Sequence, residues 1–412
     1  MLARARPLLA RARPRALSAA AGSIYNPSEE HAALRDMVRT FAEAEVDPQR
    51  LEHDRDEKFN RALFRHCGDL GLLGVTADDD FGGGGMDAVA ACIVHEELSA
   101  ADPAFCLSYL AHSMLYVNNV SVNASQEQKQ RWLPQACDGT KVCAMAMSEP
   151  GAGTDVLGMS TKAERVGDTF VLNGAKMWIT NGCVDDSTLG DAAIVYARTG
   201  PGRSDISLFH VSAGTPGFAL GQRIKGKCGM RASPTAELVF TDCVVPAADL
   251  IGMLNGASLC MMRNLEVERV ALAAMAVGLA RRCVDRMAKY ASERRAFGKA
   301  IGDYGQVQRH VAESYGKLQA SRAYLYSTAA TLDLKASGNR LDTDGVKLFA
   351  TTAAKEIADA AIQVHGGYGY VAEYQVEQLW RDSKLLEVGG GTLESHHKNM
   401  MRDLRDGLPA SF

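Results

Sequence analysis

The sequence predicts an α+β protein in which an antiparallel β domain separates an N-terminal helical domain from a C-terminal, four-helix-bundle-like helical domain. Three observations predict it. Apolar residues recur at helical spacing up to about residue 140; from 141 to 250 short β-branched runs alternate with Gly, Asn, Asp and Pro; beyond 251 the helical pattern returns and lengthens. The expected units are a leader at 1–22, then domains at 23–140, 141–250 and 251–412.

Taken in order, Leu34, Met37, Val38 and Phe41 form the apolar face of a first helix, with Asn26, Pro27 and Ser28 as its start signal. The run FGGGG at 81–85 is a turn, and helices follow in 86–100 and 125–137, the second N-capped by Ser125. TFVLNG, DAAIVYA, ISLFHVS and AELVFTDCVV read as strands broken by turns, which suits an antiparallel sandwich or barrel. No GxGxxG follows a strand, so a nicotinamide-type dinucleotide fold is not supported. Residues 257–295 contain no proline and one glycine, and two more long helical runs occupy 305–334 and 344–367. A β domain wedged between helical ones leaves clefts at the seams, where ligand sites are common.

The bulk numbers exclude several classes. With a net charge of −4 there is no basic field for nucleic acid, and no uninterrupted apolar run is long enough to span a membrane. The 10 cysteines show no CxxC pair or His-spaced cluster, so neither a zinc site nor a disulfide framework is expected. Arg4, Arg6, Arg11, Arg13 and Arg15 precede the first acid, Glu29, which is the composition of a mitochondrial transit peptide; a disordered basic tail is the other reading.

Six strings carry the functional reading: AMSEPGAGTD (146–155), KMWITNG (176–182), KGKCGMRASPTAELVF (225–240), RRAFGKAIG (294–302), QVHGGYGY (363–370) and WRDSK (380–384). In the first, a Gly-rich turn lets backbone N–H groups approach a flat ring or a phosphate, and Ser148 and Thr154 add hydroxyls. In the second, Trp178 offers a broad apolar face; the competing reading is a core tryptophan.

In this order the strings resemble the acyl-CoA dehydrogenase family. The resemblance implies bound FAD, an acyl-CoA substrate desaturated between Cα and Cβ, electron-transfer flavoprotein as electron acceptor, a homotetramer and a place in the mitochondrial matrix. It carries cofactor contact onto Met145, Ala146, Met147, Ser148, Glu149, Pro150, Gly151, Ala152, Gly153 and Thr154, and onto Trp178, Ile179 and Thr180. Arg294 matches an arginine that reaches the FAD pyrophosphate of a neighbouring subunit. Gly305 stands where a glutamine is expected, with Gln306 one residue on. Gln363, Val364, His365, Gly366 and Gly367 match the turn on the adenosine side, and Thr392, Leu393 and Glu394 a further cofactor segment.

The resemblance also locates the base. Most of the family places a glutamate before Gly-Thr, but here Gly390 holds that place, followed by Gly391 and Thr392. A branched-chain subgroup instead carries its base in a Leu-acid-apolar-Glu-Arg string, which Leu265, Glu266, Val267, Glu268 and Arg269 match, so Glu268 is implied as the base. The family supplies hydrogen bonds to the thioester oxygen from the FAD ribityl hydroxyl and a backbone N–H, here that of Gly390. Helical geometry agrees: Glu268 falls on one stripe with Met261, Leu265, Leu272, Met275 and Leu279, and Glu266 points to the other side. The bland alternative is a buried glutamate paired with Arg or Lys.

Thr154, Leu259, Glu266, Val267, Arg269, Gly390 and Gly391 complete the implied substrate site, with Leu259 where a tyrosine is expected. The expected substrate is a short branched acyl-CoA such as isovaleryl-CoA. The alternatives are a long-chain or other branched-chain dehydrogenase, and an inactive, FAD-free interaction protein. The acidic stretch 183–191 reads as a surface insertion.

Overall fold

The computed structural model describes residues 22–407; most of the expected leader lies outside the described residues. The N-terminal helices are α1 (Glu29–Phe41), α2 (Asp47–Asp56), α3 (Arg61–Asp69), α4 (Ala88–Ala101), α5 (Pro103–Leu110), α6 (Asn118–Asn123) and α7 (Gln126–Cys137). Ser28 caps α1 by accepting from the His31 N–H. Ser125 and Gln128 form a reciprocal capping box on α7, which satisfies two otherwise orphaned donors. In the glycine turn, a Cβ at Gly83 would stand 2.1 Å from the Ala77 carbonyl oxygen, so only glycine fits.

The middle strands are β1 (Cys143–Ala146), β2 (Lys162–Val166), β3 (Thr169–Thr180), β4 (Ala192–Arg198), β5 (Ile206–Ser212), β6 (Phe218–Arg223), β7 (Thr235–Pro246) and β8 (Leu250–Ile251). They join in the order β6-β7-β3-β2-β4-β5-β8, with β1 on β4. The expected antiparallel sheet is in fact mixed, because β1 and β2 both pair parallel to β4. The β2–β3 hairpin lies between β1 and β4 in sequence, and an intervening stretch of that length lets the chain return in the same direction.

Strand β4 is buried on both faces. Ala193, Val195 and Ala197 face an all-β core with Phe170, Phe209, Leu238 and Phe240. Ile194 and Tyr196 face Tyr116, Trp132 and Met261. That second core joins the β domain to both helical ones and fixes the seam where the site lies. The acidic stretch beside it is more than decoration: Asp186 pairs with Arg223 and Lys225, and Asp191 with Arg61.

The C-terminal helices are α8 (Ala257–Glu293), α9 (Gly305–Ala329), α10 (Arg340–His365), α11 (Val376–Val388) and α12 (Leu393–Asp406), with a small hairpin of β9 (Arg295–Ala296) and β10 (Lys299–Ala300) after α8. Helix α8 runs through one continuous core with α4, α9 and α10. All 10 cysteines are free and 8 of them buried, as the absence of any pairing pattern suggests.

Candidate active site

The site begins on α8. Met261, Leu272, Met275 and Leu279 are buried, and Glu268 lies among them, half-buried. Among the described residues its carboxylate has no hydrogen-bond or ion-pair partner. Two residues earlier, Glu266 is buried and fully engaged, accepting from the Gly338 and Asn339 N–H groups that open α10. The two acids of one string thus have opposite fates. Glu266 anchors helix α10 to α8; Glu268 is left without a partner. Burial lifts the Glu268 carboxyl to about 7, with Lys347 and Arg269 pulling the other way.

The three glycines end α11 and turn into α12, over Glu268. Gly390 has φ +64° and Gly391 φ +101°, both in the region that favours glycine. A Cβ at Gly390 would stand 2.5 Å from Leu272 Cδ1 and 3.4 Å from Glu268 Cδ. Leu272 thus already occupies the place a side chain at 390 would take, and the turn approaches the Glu268 carboxylate with backbone alone. Thr392 caps α12 by accepting from the Ser395 N–H.

The glycine-rich loop lies on the β-domain side. Strand β1 alternates, so Met145 faces α8, where the Asn264 side chain reaches its sulfur, while Ala146 enters the all-β core. Trp178 stands at a register shift between Lys176 and Ile179, with φ +66° and 63% of its surface exposed. It is therefore not a core tryptophan. Gly151 and Gly153 have nothing within 4 Å of a built Cβ. An exposed indole face beside open glycine backbone fits a flat aromatic ring.

That loop is held by a buried ion pair. Glu149 accepts from Lys176 Nζ and from the Ser160 and Thr161 N–H groups. Burial alone would raise the Glu149 carboxyl, but Lys176 and these donors outweigh it and hold it at about 2; burial draws Lys176 down to about 8, so both stay charged near neutrality. Removing one partner of such a pair costs ~3–5 kcal/mol. Glu149→Ala is expected to lower the melting temperature and to shed bound flavin, measured by calorimetry and by absorbance after gel filtration.

Compared with known proteins, the chain matches three family profiles end to end: Acyl-CoA dehydrogenase, N-terminal domain (28–140), middle domain (144–243) and C-terminal domain (255–404). The chain belongs to the acyl-CoA dehydrogenase family. It is 39% identical to isovaleryl-CoA dehydrogenase, mitochondrial, of Pongo abelii, over 90% of this chain and 88% of that one. It is 36% identical to the short-chain specific acyl-CoA dehydrogenase, mitochondrial, of Mus musculus, over 89% and 88%. The structure of butyryl-CoA dehydrogenase from Megasphaera elsdenii superposes with a TM-score of 0.86 at 29% identity, covering 90% of this chain and 97% of that one. As a member of this family the protein is an oxidoreductase.

Within this acyl-CoA dehydrogenase the expected site residues divide by burial and by the partners their side chains take. Ala146, Met147 and Ile179 bury their side chains in the cores of the β domain, Ala152 is buried within the loop, and Glu149 spends its oxygens on the loop. Met145, Ser148 and Thr180 are half-buried; Pro150, Gly151, Gly153, Thr154 and Trp178 are exposed. Glu266 is taken up by the start of α10 and Val267 by the helical core. Leu259 stands two and a half turns from Glu268, on the far side of the helix, with 71% of its surface exposed. The missing tyrosine is therefore not a gap beside the base. Arg269 turns inward to Asp344, at 3.1 Å.

The remaining cofactor expectations gather elsewhere. Arg294, Val364, His365, Gly366 and Gly367 line one cavity of about 570 Å³, with the Arg294 guanidinium 5.5 Å from the Tyr368 ring centre. Gln363 lines a separate cavity between α9 and α10. Gln306 is the second residue of α9 and is exposed, one position past the Gly305 that begins the helix. Leu393 and Glu394 open α12, Glu394 exposed and Leu393 half-buried.

Sequence reasoning missed Lys347, Asp344 and His396, all completely buried behind the three glycines. Asp344, Lys347, Thr351, Ala354 and Ala358 recur at intervals of three and four on α10, so the charged pair at the head of an otherwise small-residue stripe was the available signal.

Proposed function

We propose that this protein desaturates a short branched-chain acyl-CoA, isovaleryl-CoA to 3-methylcrotonyl-CoA, with Glu268 as the base. The observation that carries the reading is the partnerless Glu268 carboxylate under a turn with no side chain. FAD, held between Trp178, Thr180 and the 148–154 loop, supplies when bound the oxidant that accepts the Cβ hydride. Glu268 removes the Cα proton. A base near 7 suits a weak carbon acid, because it is ionised at working pH yet still basic. The Gly390 N–H is the proposed donor to the thioester oxygen as charge moves onto it. The turn at Gly390 carries no side chain to crowd the branch of the acyl chain, and the identity to isovaleryl-CoA dehydrogenases supports that choice over a straight chain.

Arg294 and the Gly366–Gly367 turn line a cavity that includes neither Glu268 nor the 148–154 loop. That separation supports a symmetric assembly, read as a homotetramer, in which one copy's cavity holds the adenosine end of its neighbour's FAD. Electron-transfer flavoprotein is the proposed acceptor. The arginine-rich start and the mitochondrial relatives support a matrix location.

Anaerobic mixing with isovaleryl-, octanoyl- and palmitoyl-CoA tests the substrate: isovaleryl-CoA should bleach the flavin fastest, and faster bleaching by palmitoyl-CoA would reject the branched-chain reading. The pH dependence follows from the carboxyl. Its raised value means the proton-accepting form grows as pH rises, so kcat/KM should climb through about 7 and level off. A profile flat from pH 5 to 9 would contradict a base of that kind.

A further inference from the structure

We propose that Lys347 and His396 are positioning residues that clamp the Gly391 carbonyl from behind and so hold Gly390 against Glu268. Consecutive glycines have little conformational preference of their own, and left alone this turn would sample many shapes. The structure gives it two donors on one oxygen. Lys347 Nζ, from α10, and His396 Nε2, from α12, both bond the Gly391 carbonyl, and both side chains are completely buried. The other face of the His396 ring meets Asp344 Oδ1 at 2.6 Å, and Arg269 Nη1 lies 3.1 Å from the same oxygen.

Both ring nitrogens of His396 face acceptors. Burial lowers the ring below its ordinary value, and the Lys347 and Arg269 charges add to this against the pull of Asp344. With its proton on Nε2 the ring donates to the Gly391 carbonyl.

Lys347 has a second effect. The charged and titratable groups facing Glu268 are Lys347 from α10, Arg269 from its own helix and Tyr196 from β4, and Lys347 in turn faces Asp344 from α10, His396 from α12 and Glu387 from α11. Lys347 is the foremost cation opposing the burial of the Glu268 carboxylate. It thus ties the turn down and keeps the base ionised at lower pH than burial alone would allow.

This rests on Glu268 being the base. The test compares Lys347→Met, His396→Gln and His396→Leu with wild type as FAD-loaded protein. The limiting rate of flavin reduction by isovaleryl-CoA and the thioester affinity are followed from pH 6 to 9. Lys347→Met should slow reduction ~10- to 100-fold with little change in affinity, and move the acid limb up by about one pH unit. His396→Gln keeps one N–H and should lose less than His396→Leu. Hydrogen–deuterium exchange across residues 385–395, which needs no turnover, should quicken in Lys347→Met and His396→Leu.

Wild-type bleaching with an unmoved rate and acid limb in Lys347→Met would overturn the positioning role and leave the base standing. Equal losses in His396→Gln and His396→Leu would do the same, and they decide the matter if Lys347→Met fails to fold. Normal bleaching by Glu268→Gln would overturn both.

Discussion

Glu268→Gln should keep its FAD and lose flavin reduction by substrate, by ~10²- to 10⁴-fold, the range for removing a general base. The amide has nearly the same shape and cannot accept the Cα proton. Burial of a carboxylate without a partner is unfavourable, so the substitution should also leave stability equal or higher. That combination, lost chemistry with retained or improved melting temperature, separates a functional acid from a structural one. Glu266→Gln is the matched control. It weakens acceptance from the Gly338 and Asn339 N–H groups, so it should lower stability and spare most of the chemistry. If both glutamines behave alike, the distinction between the two acids fails.

The second large effect concerns the glycines. Gly390→Glu by itself should be poorly tolerated, because its Cβ would meet Leu272 Cδ1 at 2.5 Å and its backbone has φ +64°. Holding a side chain in that left-handed conformation costs ~1–2 kcal/mol. Trimming the obstacle makes the exchange testable. In a Glu268→Gln background, Gly390→Glu with Leu272→Ala moves the carboxylate across a gap of one side chain. Flavin reduction should return in part, and more for butyryl-CoA than for isovaleryl-CoA, because the new side chain fills the space the branch would use. Recovery that favours the branched thioester would contradict the role given to the side-chain-free turn at Gly390.

Much of this was legible in the sequence where the cause is local. Ser28 and Ser125 announce their helices because each cap accepts from an N–H only three residues on. Glu268 was legible because helical period alone puts it among Met261, Leu272 and Met275. The individual helices within 103–123 were not delimited, because α5, α6 and the π-helical stretch Ala111–Val117 between them are buried on nearly every side. The parallel pairings of β1 and β2 with β4 were not legible, since strand direction is set by neighbours far along the chain. The partner of Glu266 lies some seventy residues away at the start of α10, and nothing near Glu266 names it. A similar separation hid the Lys347, Asp344 and His396 group, which the starts of two helices, α10 and α12, bring behind one carbonyl.

Proton removal can be isolated from everything that follows it. In 3,3-dimethylbutanoyl-CoA the Cα carries hydrogens and the Cβ carries none, so no hydride can leave. Incubated with the FAD-loaded protein in D₂O and followed by proton NMR, its α-protons should exchange with wild type and stay in place with Glu268→Gln. Exchange at the wild-type rate in Glu268→Gln would show that another group takes the proton, and would contradict the account.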